Sequence, residues 1–70
     1  MDGTIIRLVI DRGFGFIATS GETGKDIFFN VRDLDTELKW TDQLIERRVT
    51  FNPVGTDRGP RAANIRAALN

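Results

Sequence analysis

Residues 12–17 read Arg-Gly-Phe-Gly-Phe-Ile, and such a run leaves a chain few choices. Side chains alternate across an extended strand, so Phe14 and Phe16 must share one face while Gly15 leaves the other nearly bare. Turned inward, the pair would leave Gly13 and Gly15 outside and send Ile17 to the wrong side. Turned outward, it delivers Ile17 to a core, and this arrangement is expected. A second strand-like run, Asp26-Ile27-Phe28-Phe29-Asn30, begins nine residues after Ile17. Phe28 and Phe29 must point opposite ways; placing Phe28 and Asn30 outside gives Ile27, Phe29 and Val31 an apolar inner face. Two adjacent strands with aromatics on a shared outer face, and Arg12 at its edge, make a platform on which unpaired bases can stack.

The chain has 70 residues, without a cysteine or a histidine. That length predicts one domain, residues 1–70, which buries only about 60% of the surface its unfolded form exposes. Disulfides, the usual zinc sites and Cys- or His-based catalysis are excluded by composition, so no metal and no cofactor is expected. No apolar run approaches the roughly 18 residues of a membrane span and no secretory signal is present, which makes a cytoplasmic location without membrane contact the default.

Ten basic and ten acidic residues give a formal net charge of zero, an argument against a purely electrostatic polyanion binder. Their distribution is uneven. Residues 21–46 carry seven acids and three bases, whereas residues 47–70 carry five arginines and one aspartate. If the last strands border the Phe14/Phe16 face, a basic rim results; simple dispersal over a solvated surface is the alternative.

Along the chain, residues 4–10 are β-branched and apolar-rich, Asp11-Arg12-Gly13 is a tight connection, and residues 14–19 form a second strand. Residues 20–24 hold two glycines in a polar stretch and read as a hairpin loop; residues 26–31 are a third strand. Residues 32–46 are polar, with Leu34, Leu38 and Ile45 at helix-compatible intervals, and are expected to form a long loop with short helical turns. Residues 49–54 are a fourth strand in which Pro53 demands an edge or a strand end. A turn follows at 55–60, and residues 61–69 suit either a fifth strand or, from their alanines, a short helix. Short strands, Gly-rich turns and no long helix indicate an all-β barrel, closed because an open sheet of this size would expose its edges.

Four strings together resemble the bacterial cold-shock protein family: Gly3-Thr4-Ile5; Arg12-Gly13-Phe14-Gly15-Phe16-Ile17 as its first ribonucleoprotein motif; Gly24-Lys25-Asp26-Ile27-Phe28-Phe29-Asn30 as its second; and Gly59-Pro60-Arg61-Ala62-Ala63-Asn64-Ile65 as its closing strand. The motif order distinguishes it from an RNA-recognition motif domain, which places its second motif first and needs two amphipathic helices. The resemblance spans the whole chain. It implies a five-stranded antiparallel OB-type barrel that binds single-stranded RNA or DNA and keeps it unfolded as a chaperone.

Departures from the family pattern matter as much. Where its members usually carry Trp then Phe on the first strand, this chain has Arg7 and Leu8; Ile6 replaces the basic residue before them, and Asn30-Val31 replaces His-Phe. Each stacked base is worth about 1–3 kcal/mol by alanine substitution, so the missing platforms would cost much affinity unless replaced. Arg7, planar and charged, can stack on a base in part of the Trp's role. Trp40 lies near the family's loop aromatic; it either stacks on a base or packs down to close one end of the core.

Arg12, Lys25, Arg58 and Arg61 are candidate phosphate contacts, with solvated surface charge the alternative for each. Asp26 either accepts a hydrogen bond from a base edge or caps the hairpin. The expected site therefore comprises Arg7, Arg12, Phe14, Phe16, Lys25, Asp26, Phe28, Asn30, Trp40, Arg58 and Arg61. A competing function is a module whose eroded aromatic face binds a protein or a second copy of itself; a monomer is expected, with a dimer formed by strand exchange through residues 32–46 as the variant. Asp33, Asp35 and Glu37 lack a partner base or nucleophile, so an enzyme is not expected.

Overall fold

The computed structural model describes residues 1–19 and 26–68; the expected hairpin loop at 20–24 and the candidate phosphate contact Lys25 lie outside the described residues. Five strands form: β1 Asp2–Val9, β2 Phe14–Ala18, β3 Asp26–Asn30, β4 Arg48–Thr56 and β5 Gly59–Ala67. Short 3-10 turns occupy Ile10–Arg12, Val31–Asp33 and Asp42–Leu44. Residues 61–69 thus resolve as strand through Ala67, because pairing with β4 outweighs the helix propensity of a few alanines.

The strands close into a barrel in the order β1-β2-β3-β5-β4. An antiparallel barrel was expected, and one ladder corrects it: β3 and β5 run parallel, with Phe28 beside Arg61. The reason is arithmetic. A ring with an odd number of strands cannot alternate direction all the way round, so one pair must run parallel. The long connection from β3 carries the chain across the barrel so that β4 pairs with β1, which leaves the place beside β3 to β5.

Two bulges shape the barrel wall. The β1–β2 register shifts between Ile5 and Arg7, so Ile5 is fully buried, Ile6 and Arg7 are both exposed, and Leu8 packs back onto the core. In β5 the register shifts opposite Thr50 and Asn52; Asn64 adopts a left-handed φ of 53°, and Ala62 and Ile65, three apart, both face inward with no exposed surface. A bulge inserts one extra residue, bends the strand and reverses the parity of everything beyond it.

The core comprises Ile5, Ile17, Ile27, Phe29, Val49, Phe51, Ala62 and Ile65 from the strands, with Leu38 and Leu44 from the segment between β3 and β4. That segment is a loop with short helical turns, as expected, here of the 3-10 kind, although Ile45, one of the three residues at helix-compatible intervals, is exposed. Its backbone is tied down by Val31 N–H to Gly13 O (2.8 Å) and Asp35 N–H to Ile65 O (2.8 Å). Val31, expected inside, is only half-buried, because the strand ends at Asn30 and the alternation stops with it. Beyond Phe51, whose N–H and carbonyl bond Met1 on the β1 side, β4 pairs with β5 alone, so Pro53 sits on a free edge where its missing N–H costs nothing.

Candidate nucleic-acid interface

The outer face of β2 and β3 follows from uninterrupted alternation. Phe14 pairs across from Asn30, Phe16 from Phe28 and Ile17 from Ile27. Gly15 and Ile17 are buried, while Phe14 and Phe16 are half-buried and Phe28 is exposed. Gly15 is required by the core: a Cβ there would come within 2.6 Å of the Arg7 carbonyl oxygen and 2.9 Å of Phe29 Cζ. Gly13, with φ of 73°, closes the preceding 3-10 turn in a left-handed conformation that glycine adopts without strain.

The three outer rings touch one another. Phe14 and Phe16 have centroids 5.9 Å apart at 87°, Phe16 and Phe28 6.0 Å at 73°, and Phe14 and Phe28 5.5 Å at 34°. These are edge-to-face and tilted contacts of the favoured kind, which preorganise the face without hiding it. On one flank the β1 bulge sets Arg7 opposite Phe16, with Val9 opposite Phe14. On the other, Arg61 stands beside Phe28. There a groove of about 520 Å³ runs from Phe28 along the β4–β5 turn, lined by Thr56, Asp57, Arg58, Gly59, Pro60 and Arg61.

The other expected residues fall as follows. Arg12 is exposed in the turn leading into Phe14. Asp26 is exposed at the far end of β3, opposite Ala18. Asn30 lies opposite Phe14, but its side-chain oxygen accepts the Arg32 N–H at 3.0 Å and so serves as a turn cap. Trp40 stands apart from the three rings: it packs edge-on against Phe29, centroids 6.2 Å apart, and its Nε1–H donates to the Ile10 carbonyl at 3.2 Å. Both contacts tie it to the end of the barrel, and it stays half-buried there.

The basic rim is narrower than the charge distribution suggested. Arg58 and Arg61 line the groove beside Phe28, but Arg48 and Arg66 line a separate cleft with Asp2, Asp35 and Glu37. The chain folds so that β5 passes the platform only near its start. Asp33 was not anticipated at the site. It ion-pairs with Arg61 at 3.3 Å and accepts the Asn30 N–H at 2.9 Å. Its spacing from Asn30, an Asn followed three residues later by an acid, was a legible capping signal. Among the described residues no cluster of acidic side chains is arranged to hold a metal ion.

A closed five-stranded barrel with contiguous aromatics on one outer face defines an OB-type binding barrel. Residues 1–68 match the family model described as the 'Cold-shock' DNA-binding domain. The chain is 37% identical over 65 residues to Cold shock protein 1 of Lactiplantibacillus plantarum, covering 91% of this chain and 92% of that one. It is 38% identical over 64 residues to a Cold shock-like protein of Aquifex aeolicus, covering 91% and 89%. The chain belongs to the cold-shock domain family, and its general class is that of nucleic-acid-binding proteins.

Proposed function

We propose that this protein binds single-stranded RNA or DNA by stacking bases on Phe14, Phe16 and Phe28, and that it acts on RNA as a chaperone, holding strands open with little sequence preference. The observation that carries this reading is the contiguous outer cluster of those three rings, centroids 5.5–6.0 Å apart. Stacking is sequence-tolerant because every base presents a π-face. Arg7 beside Phe16, and Arg12 and Arg58 at the margins, contribute phosphate contacts, and Asp26 extends the path to the far end of β3; Lys25 is a further phosphate contact. A monomer acting in the cytoplasm, where transcripts are exposed, completes the reading; no catalytic step belongs to it.

Titrating a labelled oligopyrimidine single strand with the protein, followed by anisotropy at two salt concentrations, tests this. Micromolar or tighter binding with shallow salt dependence is the expected outcome. Absence of binding even at low salt would overturn it.

A second reading has its own observation. Ile6 and Ile10 are 43% and 39% exposed at either end of the Arg7–Val9 stretch, where an apolar partner would gain from covering them. Self-association that buries Phe14, measured by sedimentation, together with no affinity for single strands, would favour this alternative.

A further inference from the structure

Among the described cations beside the platform, Arg61 is the one paired with a carboxylate. Arg61 pairs with Phe28 across the parallel β3–β5 ladder, so the two side chains lie next to each other on the outer face. Its Nη2 donates to Asp33 Oδ1 at 3.3 Å. Asp33 is itself fixed, because its other carboxylate oxygen accepts the Asn30 N–H at 2.9 Å. The Asp33 side chain is only 9% exposed, whereas that of Arg61 is 45% exposed. The result is a guanidinium leashed at one corner to the end of β3, on a residue that lines the same groove as Phe28. Among the described residues it makes no other hydrogen bond or ion pair.

A phosphate contact needs only charge, and a free arginine or lysine serves. A guanidinium tethered at one corner samples fewer orientations than a free one and still offers paired donors, which suits it to reading a base edge. We infer that Arg61, positioned by Asp33, is a base-reading residue that favours guanine over adenine and thymine or uracil for the base stacked on Phe28. Guanine presents two adjacent acceptors, O6 and N7, to a bidentate arginine. Adenine sets a donor beside its N7, and thymine or uracil has no adjacent acceptor pair. This inference rests on the stacking platform described under the proposed function.

The test compares a thymidine hexamer with hexamers in which one guanine, or one adenine, is moved through each position, by fluorescence anisotropy against the folded protein. Comparing guanine with adenine removes the advantage any purine has in stacking area. The best guanine strand should bind about fivefold more tightly than the best adenine strand, the lower end of what a bidentate pair discriminates, since Arg61 is partly exposed. That ratio should collapse towards one in Arg61→Lys, which keeps the charge but not the fork, and should shrink in Asp33→Asn, which loosens the leash. Circular dichroism confirms that each variant retains its sheet. Equal binding of guanine and adenine strands by the unmodified protein would overturn the inference and leave the platform standing. A guanine preference that survives Arg61→Lys would overturn the assignment to Arg61. Failure to bind every strand would overturn both the inference and the platform.

Discussion

The rings of Phe14 and Phe28 approach to 5.5 Å at 34° although they are diagonal neighbours on the β2–β3 ladder, closer than the 6.0 Å between the directly opposed Phe16 and Phe28. The right-handed twist of the sheet swings one diagonal together and the other apart. Three rings therefore make a continuous surface rather than two separate rows, and each ring supports the others' orientation.

Removing one ring should lower affinity without unfolding the barrel. Phe28→Ala is expected to weaken binding of a single strand by about fivefold to 150-fold, from about 1–3 kcal/mol per stacked base. Phe14→Ala together with Phe28→Ala should nearly abolish it. Anisotropy gives the affinity and circular dichroism the fold; a folded double variant that still binds fully would remove the basis for the platform.

Gly15 should be intolerant of even one methyl group. A Cβ would meet Phe29 Cζ at 2.9 Å and the Arg7 carbonyl at 2.6 Å, the second being backbone that cannot rotate away. Gly15→Ala is expected to destabilise by about 1–3 kcal/mol, the usual range for overpacking. Urea denaturation checks this through a lower midpoint at unchanged slope.

Asn64 holds a left-handed φ of 53° at the β5 bulge. Glycine accepts that conformation, whereas a β-branched residue is strained there by about 1–2 kcal/mol. Asn64→Gly should therefore melt close to the unmodified protein and Asn64→Val several degrees below it, as read by thermal denaturation.

Trp40 touches Phe29 and the Ile10 carbonyl, not the outer rings. Trp40→Phe should lower stability by about 0.5–1.5 kcal/mol, the value of one hydrogen bond. Its effect on strand affinity should stay within about twofold, well short of what a stacked base contributes. Denaturation and anisotropy on the same sample separate the two.

Arg58 stands at the β4–β5 turn, on the lip of the groove. If it contacts one phosphate, Arg58→Ala should flatten the plot of log binding constant against log salt by about 0.7. An unchanged slope would place Arg58 outside the strand's path.

Much of the fold and the platform was legible in sequence wherever alternation runs unbroken. From Phe14 to Ile17 and from Ile27 to Asn30 the period of two sets which side chain is core and which is surface, because a strand of regular pleat permits nothing else. The edge position of Pro53 was legible for an equally local reason, its missing N–H. Val31 marks where that logic stops: the residue before it caps a turn, and parity no longer applies.

The sequence by itself determined the all-β class, the outward aromatics and the glycines that let the core close beneath them, since these depend on neighbours within a few residues. Only the tertiary structure decided the parallel β3–β5 ladder, the two bulges, the inward packing of Trp40 and the pairing of Asp33 with Arg61. Each depends on closing a ring of strands. Closure forces one parallel pair, bends β1 and β5 at extra residues, and brings residues 28 positions apart into contact. None of that geometry is encoded in a local period.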